Sequence, residues 1–316
     1  MRIVCCGHVL IFLALLLLGL VSFSNAESSQ SSTTNTCAPG DTTCSEEEED
    51  GFVRLGHGNN RPTLRVVMIR HGESTNNVLH EIGPEHYRQH RTPDPALTTN
   101  GQLQAQRTAD YLGSGLHPLL DDIERLYVSP FLRTLLTAAP LAETLRLYPT
   151  VWTDLHEVGG VYRYNNTTDG GTVGLGGLTR SQMDEGFPLY MLPDDVGPQG
   201  WYNAQQQKET RAMGKTRVQG VFRKLQDMAK ELDREGRDRT IAMVVHGDFI
   251  DFMLQAAYQI KGTDHRFPCY NTCITAFDLT ASANDEGQQP PPIVLFHNSV
   301  AHLPPSLVKH DKLMKC

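Results

Sequence analysis

The sequence predicts an α/β protein, and three features point there. Short apolar runs at residues 66–69 and 240–245 suit strands buried on both faces of a sheet, and residues 123–128 read as a further strand. Between them lie stretches of helical periodicity, the longest at 210–235. Two of the strands stop abruptly at an imidazole and a glycine, Arg70-His71-Gly72 and His246-Gly247. A buried strand that carries polar chemistry at its carboxyl end is a common way to build an α/β active site.

The chain has 316 residues, enough for one large domain or two small ones. A net charge of -8 argues against a general nucleic-acid binder. A cationic pocket inside such a protein would mark a local anion site. Residues 1–26 read as a secretory signal peptide: Arg2, an apolar run over 9–21, and Ser24-Asn25-Ala26 at the cleavage position. The run is short for a spanning helix, and an uncleaved signal anchor is the alternative. The expected address is therefore outside the cell or in the secretory-pathway lumen, with no membrane contact after cleavage. Residues 27–60 are rich in Ser, Thr and Gly with an acidic run at 46–50, and are expected to be a disordered linker. In an oxidising compartment Cys37–Cys44 and Cys269–Cys273 are expected as local bridges, leaving Cys316 over. No Cys/His spacing suggests zinc.

The folded domain is expected over residues 61–305, followed by an exposed tail at 306–316. Its first strand ends in R-H-G-E-S-T-N-N, residues 70–77. Arg70 offers a planar fork of donors suited to a phosphate. His71 offers a nitrogen that serves as nucleophile, base or ligand. Gly72 lets a ligand approach the backbone, and Asn77 adds a donor. Residues 80–95 are polar, and the X-Pro steps at Gly83, Thr92 and Asp94 disfavour helix. That stretch is expected as a loop near the substrate mouth, with His80, His86, His90 and Arg91 as ordinary loop residues.

A helix over 97–112 comes next, capped by Thr98 or Thr99, with Leu103, Ala105, Ala109 and Leu112 as its apolar stripe. The strand at 123–128 runs into Ser129-Pro130, and Pro130 is expected to start a helix toward residue 145. Arg133 then lies in a first helical turn just past a strand end, where amide groups and the helix dipole favour an anion. A short strand at 150–152 leads to Leu155-His156-Glu157-Val158-Gly159-Gly160. Residues 159–207 break the α/β rhythm and are expected to form an irregular cap. They carry glycosylation sequons at Asn165 and Asn166, and Arg163, Tyr164 and Arg180 as candidates for touching substrate. A long core helix at 210–235 ends at Gly236. The strand at 240–245 presents His246, and strands near 271–277 and 293–296 complete the sheet.

Four of these elements resemble, in order, the signatures of the histidine phosphatase superfamily, the phosphoglycerate-mutase-like enzymes. They are Arg70-His71-Gly72 with Asn77 five positions on, Ser129-Pro130-x-x-Arg133-Thr134, Leu155-x-Glu157 followed by glycine, and Val244-x-His246-Gly247. Leu97-Thr98-x-x-Gly101-x-x-Gln104-Ala105 resembles an architectural element of the same family, and later matches begin at Asn271 and Asn298. The resemblance implies a three-layer α/β/α sandwich with a mostly parallel central sheet and a cap insertion. It implies hydrolysis of phosphomonoesters through a phosphohistidine on His71, with Glu157 as proton donor and His246 stabilising the transferring group. Arg70, Asn77 and Arg133 would bind phosphate.

Neither metal nor cofactor is implied, because guanidinium groups take the place of a metal ion on the phosphoryl oxygens. The expected partner is a small phosphorylated substrate or a phosphoprotein. The cofactor-dependent mutases carry an Arg-Phe-x-Gly-Trp-x-Asp segment where this chain has residues 80–95. That difference favours hydrolysis. Mutase-type transfer and a catalytically silent phosphate-binding module are the alternatives, the latter opposed by the presence of Arg70, His71, Arg133 and His246 together.

Overall fold

The computed structural model describes residues 61–117, 119–165, 171–281 and 290–308. The expected signal peptide and linker, Cys37, Cys44, Cys316, Asn166 and most of the tail lie outside them. Strand β1 (Thr63–Arg70) leads into helices α1 (Thr75–Ile82) and α2 (Pro84–His90), then α3 (Thr99–Leu112). Strand β2 (Ile123–Val128) is followed by α4 (Leu132–Leu145) and the two-residue β3 (Thr150–Val151). The cap holds β4 (Tyr162–Tyr164), β5 (Thr172–Gly174) and α5 (Arg180–Gly186). Helix α6 (Arg211–Glu235), strand β6 (Arg239–Val245), helix α7 (Gly247–Ala257) and strands β7 (Ile274–Thr280) and β8 (Ile293–Ser299) complete the fold.

Six strands form one sheet in the order β3-β2-β6-β1-β7-β8. The first four are mutually parallel, β7 pairs antiparallel with β1, and β8 pairs antiparallel with β7. Side chains of β1 alternate between two cores, as the pleat requires. Leu64, Val66 and Met68 pack with α6 and α7 residues such as Leu225, Phe249 and Phe252. Val67 and Ile69 pack on the other face with α3 and α4 residues such as Ala109, Leu135 and Leu141. Both faces of the strand are dry, which is why it reads as a continuous apolar run. Each large buried aliphatic or aromatic side chain stabilises the fold by roughly 1.5–3 kcal/mol.

Several local expectations need correction. Residues 80–95 are not a continuous loop. Gly83 takes φ +152°, separating two short helices, and Pro84 occupies the first turn of α2, where its missing N–H costs nothing. Thr92 and Asp94 do precede prolines outside helix. Helix α4 begins at Leu132 rather than at Pro130. Leu103 is exposed, so the buried stripe of α3 is Ala105, Ala109 and Leu112. The cap is more regular than expected, with a small antiparallel pair β4–β5 and a capped helix α5. Within that cap Arg180 donates to the Val196 and Pro193 carbonyls, so its guanidinium braces the cap. Cys269 and Cys273 are buried thiols rather than the expected disulfide. They flank a turn in which the Cys273 amide donates to the Tyr270 carbonyl.

Candidate active site

The parallel register brings the chemistry-bearing strand ends together. Arg70 pairs with Val245 across β1 and β6, so His71 and His246 leave neighbouring strands at the same level. The His71 amide donates to the Val245 carbonyl at 2.9 Å. On the other side of β6, Val128 pairs with Val244, and the Ser129 amide donates to the Val244 carbonyl at 3.0 Å. Ser129 is thereby set beside His246, and α4 starts there with Arg133 in its first turn. The Trp152 amide donates to the Val128 carbonyl, which fixes the exit of β3 toward Glu157. Four carboxyl ends of one parallel set thus supply Arg70 and His71, Arg133, Glu157, and His246.

Arg70, His71, Arg133 and His246 are all buried. The two imidazole rings meet edge to face with centroids 5.2 Å apart. Arg133 places Nη2 3.0 Å from His246 Nδ1. Guanidinium only donates, so Nδ1 of His246 accepts there and its Nε2–H donates to Ser129 Oγ at 2.7 Å. His71 Nδ1 lies 2.7 Å from the Gly72 carbonyl, which only accepts. The proton therefore sits on Nδ1, and Nε2 carries the lone pair. Burial, then the charges of Arg133 and Arg70, push the His71 imidazolium well below its usual range, so the ring is neutral near pH 7. His246 is lowered by burial and by Arg133 in the same way.

Arg70 is anchored by its Nη1 donating to the Cys269 carbonyl at 2.5 Å. Asn77 sits in the first turn of α1. Its Oδ1 accepts from the Ser74 amide at 2.9 Å and the Ser74 hydroxyl at 2.7 Å, closing a capping box. A contact from Asn77 to a ligand would run through its amide nitrogen. Glu157 is half-buried, with one oxygen accepting from the Val158 amide at 2.9 Å. Loss of solvent and then the charge of Asp248 raise its pKa to about 7, while Arg133 and Arg70 pull the other way. A carboxyl poised near neutrality, within the field of both guanidiniums, suits an acid that later serves as base.

Residues 66–168 and 192–285 match the family model of the histidine phosphatase superfamily (branch 1). The chain belongs to that superfamily. The gap in the match falls within the cap. No curated protein matches the chain. Solved structures similar to it include a mycobacterial hydrolase, 19% identical over 78% of this chain and 94% of that one, with a TM-score of 0.48. A mycobacterial glucosyl-3-phosphoglycerate phosphatase is 20% identical over 75% and 99%, with a TM-score of 0.45. A phosphoserine phosphatase from Entamoeba histolytica is 19% identical over 76% and 100%, with a TM-score of 0.43.

Several residues that shape this histidine phosphatase site carry no signal in the sequence pattern beyond motif membership. Ser129 orients His246, and Thr137 accepts the Gly72 amide at 3.0 Å. Asn271 Nδ2 donates to the His71 carbonyl at 3.2 Å. Asp94 accepts the Leu132 amide at 2.9 Å beside Arg133, and loss of solvent raises its pKa to about 6 against the pull of Arg133. Arg217 steadies the Glu157 loop by donating to the Asp154 carbonyl at 2.6 Å and the His156 carbonyl at 3.0 Å. Glu209 clamps that guanidinium through two contacts, at 2.9 and 2.7 Å. His156 is buried and its pKa falls to about 4 through burial and the charge of Arg217, so it contributes a neutral ring.

Proposed function

We propose that this protein is a phosphomonoesterase of the secretory pathway that works through a phosphohistidine on His71. The observation that carries the proposal is the meeting of a neutral His71, its Nε2 lone pair unused by the Gly72 contact, with His246, Arg70 and Arg133. In the first step Nε2 attacks phosphorus in line, the ester P–O bond breaks, and Glu157 gives its proton to the departing oxygen. In the second step water attacks phosphorus and gives a proton to the Glu157 carboxylate. The P–N bond breaks, and inorganic phosphate leaves.

Charge spreads over three phosphoryl oxygens in each transfer, and Arg70 and Arg133 are the donors that stabilise it. The Arg133–His246 contact is exclusive with donation by His246 Nδ1 to phosphate. A bound dianion therefore draws Arg133 Nη2 to an oxygen and favours the protonated His246 imidazolium. These cationic donors serve where other phosphoryl-transfer enzymes place a metal ion, so the reaction as proposed requires none. The apolar run and cleavage pattern of residues 1–26 support the secretory address. Asn165, a sequon residue, is exposed at the end of β4, as glycosylation requires.

The test is to incubate the mature protein with phosphoglycerate and with a panel of other phosphomonoesters. The proposal expects net release of inorganic phosphate that is lost in His71→Ala. Isomer exchange without phosphate release would identify a mutase instead, and binding without either reaction a silent module.

A further inference from the structure

A patch of unpaired cations stands beside the phosphoryl site. Arg91 follows α2 and lies three residues before Asp94, which holds the Leu132 amide next to Arg133. Its Nη1 donates to the Tyr162 carbonyl and its Nε to the Tyr87 hydroxyl at 3.0 Å. Its guanidinium carbon sits 3.9 Å from the centre of the Tyr162 ring. No hydrogen bond among the described residues uses its Nη2. Lys208 Nζ lies 4.7 Å from the centre of the same ring. Its stem is near Gly159, two residues past Glu157: a Cβ placed on Gly159 would stand 3.8 Å from Lys208 Cε. Arg88 approaches Tyr164 at 5.6 Å, and Tyr162 and Tyr164 meet edge to face at 5.6 Å. The patch thus stretches from the Arg133 wall of the site to the Glu157 wall.

Among the described residues, none of Arg88, Arg91 and Lys208 forms an ion pair with a carboxylate. The tyrosine rings hold the cations in place without neutralising them. The charge of Arg91 reaches Arg133, so the patch adds to the potential of the buried pair. Like charges gathered next to two buried arginines repel, and a second anion is what would offset that cost. A surplus of this kind in a protein of net charge -8 is local and directional.

We propose that Arg91, flanked by Lys208 and Arg88, forms a second anion subsite. The preferred substrates are then phosphomonoesters whose departing alcohol carries another acidic group, a carboxylate or a second phosphate. This rests on the phosphatase assignment of the neighbouring pocket. In it, the phosphoryl group enters between His71 and Arg133, and the second acid of the same molecule meets Nη2 of Arg91 and Nζ of Lys208. The anion fixes the leaving group with its ester oxygen toward Glu157.

The test compares kcat/KM for three matched esters: glycerol phosphate, phosphoglycerate and glycerol bisphosphate. The expected result is a preference of roughly tenfold or more for one or both acid-bearing esters, carried mainly by KM and weakened by salt. Whichever of the two is favoured identifies the second acid as carboxylate or phosphate. In Arg91→Gln and in Arg91→Gln/Lys208→Gln that ratio collapses toward one, and Arg91→Lys restores part of it. Taking the ratio within each variant cancels any general loss of folded enzyme. Titration calorimetry of His71→Ala with the same esters reads the subsite without turnover, and the same order of affinities is expected. Equal kcat/KM and equal affinity for the three esters in the unmutated subsite would overturn the proposal, as would a preference that survives both substitutions. Absence of turnover on every ester, with the affinity order intact, would overturn only the phosphatase assignment.

Discussion

In the proposed mechanism Glu157 holds a proton when the ester oxygen departs and gives it up before water attacks. Its pKa is raised, first by loss of solvent and then by Asp248 in the first turn of α7, so the acid form persists up to about pH 7. Turnover of alkyl phosphates, which need leaving-group protonation, is therefore expected to fall as pH rises through about 7. Removing the Asp248 charge makes ionisation of Glu157 easier, so Asp248→Asn should move this fall to lower pH in a pH–rate profile. An unmoved profile would contradict the coupling. Glu157→Gln should cost on the order of 10²–10⁴ with alkyl esters and much less with aryl esters, whose oxygens leave without a proton. Steady-state rates on the two ester types measure that difference. Arg70, His71, Arg133 and His246 stood out in the sequence because each follows a recognisable strand end or helix start, whereas Asp94 and Arg217 did not. Nor did the hydrogen bonds that set the states of these groups. Ser129 and His246 are 117 positions apart, and no local period records that they touch.

At the scale of elements, the loop after β1 is held by α3 through a close backbone approach. The Thr98 amide donates to the Glu73 carbonyl at 2.9 Å, and the Glu73 amide donates to Gln104 Oε1 at 2.7 Å. A Cβ on Gly101 would come within 2.1 Å of the Glu73 carbonyl oxygen, and backbone on both sides leaves it no room to yield. Gly101→Ala should destabilise the protein by roughly 1–3 kcal/mol or more, as overpacking of a tight site does. It should also lower kcat, because the displaced loop carries His71. Chemical denaturation and kinetics on one preparation check both, and an unchanged midpoint would contradict the account. Helices such as α6 were plain from periodicity and from the stop at Gly236, and the structure adds Thr210 as the N-cap. The α1–α2 pair was hidden because proline signals normally mark loops. Here Pro84 starts a helix instead of ending one, and a cap at Ser74 with Asn77 supplies the start of α1.

Across the whole molecule, an acidic protein keeps a buried cationic site at the carboxyl edge of its parallel strands. Two buried guanidiniums repel, so an anion that binds there should stabilise the native state by mass action. Inorganic phosphate at about 100 times its Kd should add ~2.7 kcal/mol to stability and raise Tm accordingly. The increase should vanish in Arg133→Met. A similar rise in that variant would place phosphate elsewhere. The sheet's parallel part was legible from its dry strands. The order β3-β2-β6-β1-β7-β8 was not, because strand pairing is a long-range choice that no single apolar run encodes. What the sheet order achieves is the alignment of His71 with His246, and the proposed chemistry depends on that alignment. The most direct measurement is to mix the enzyme with a monoester labelled in its phosphoryl group, quench in denaturing alkali, and map the labelled peptide. Acid-labile, alkali-stable label on the peptide carrying His71, absent from His71→Ala, is the predicted result. Steady turnover with the label on another residue, or undiminished turnover in His71→Ala, would contradict it.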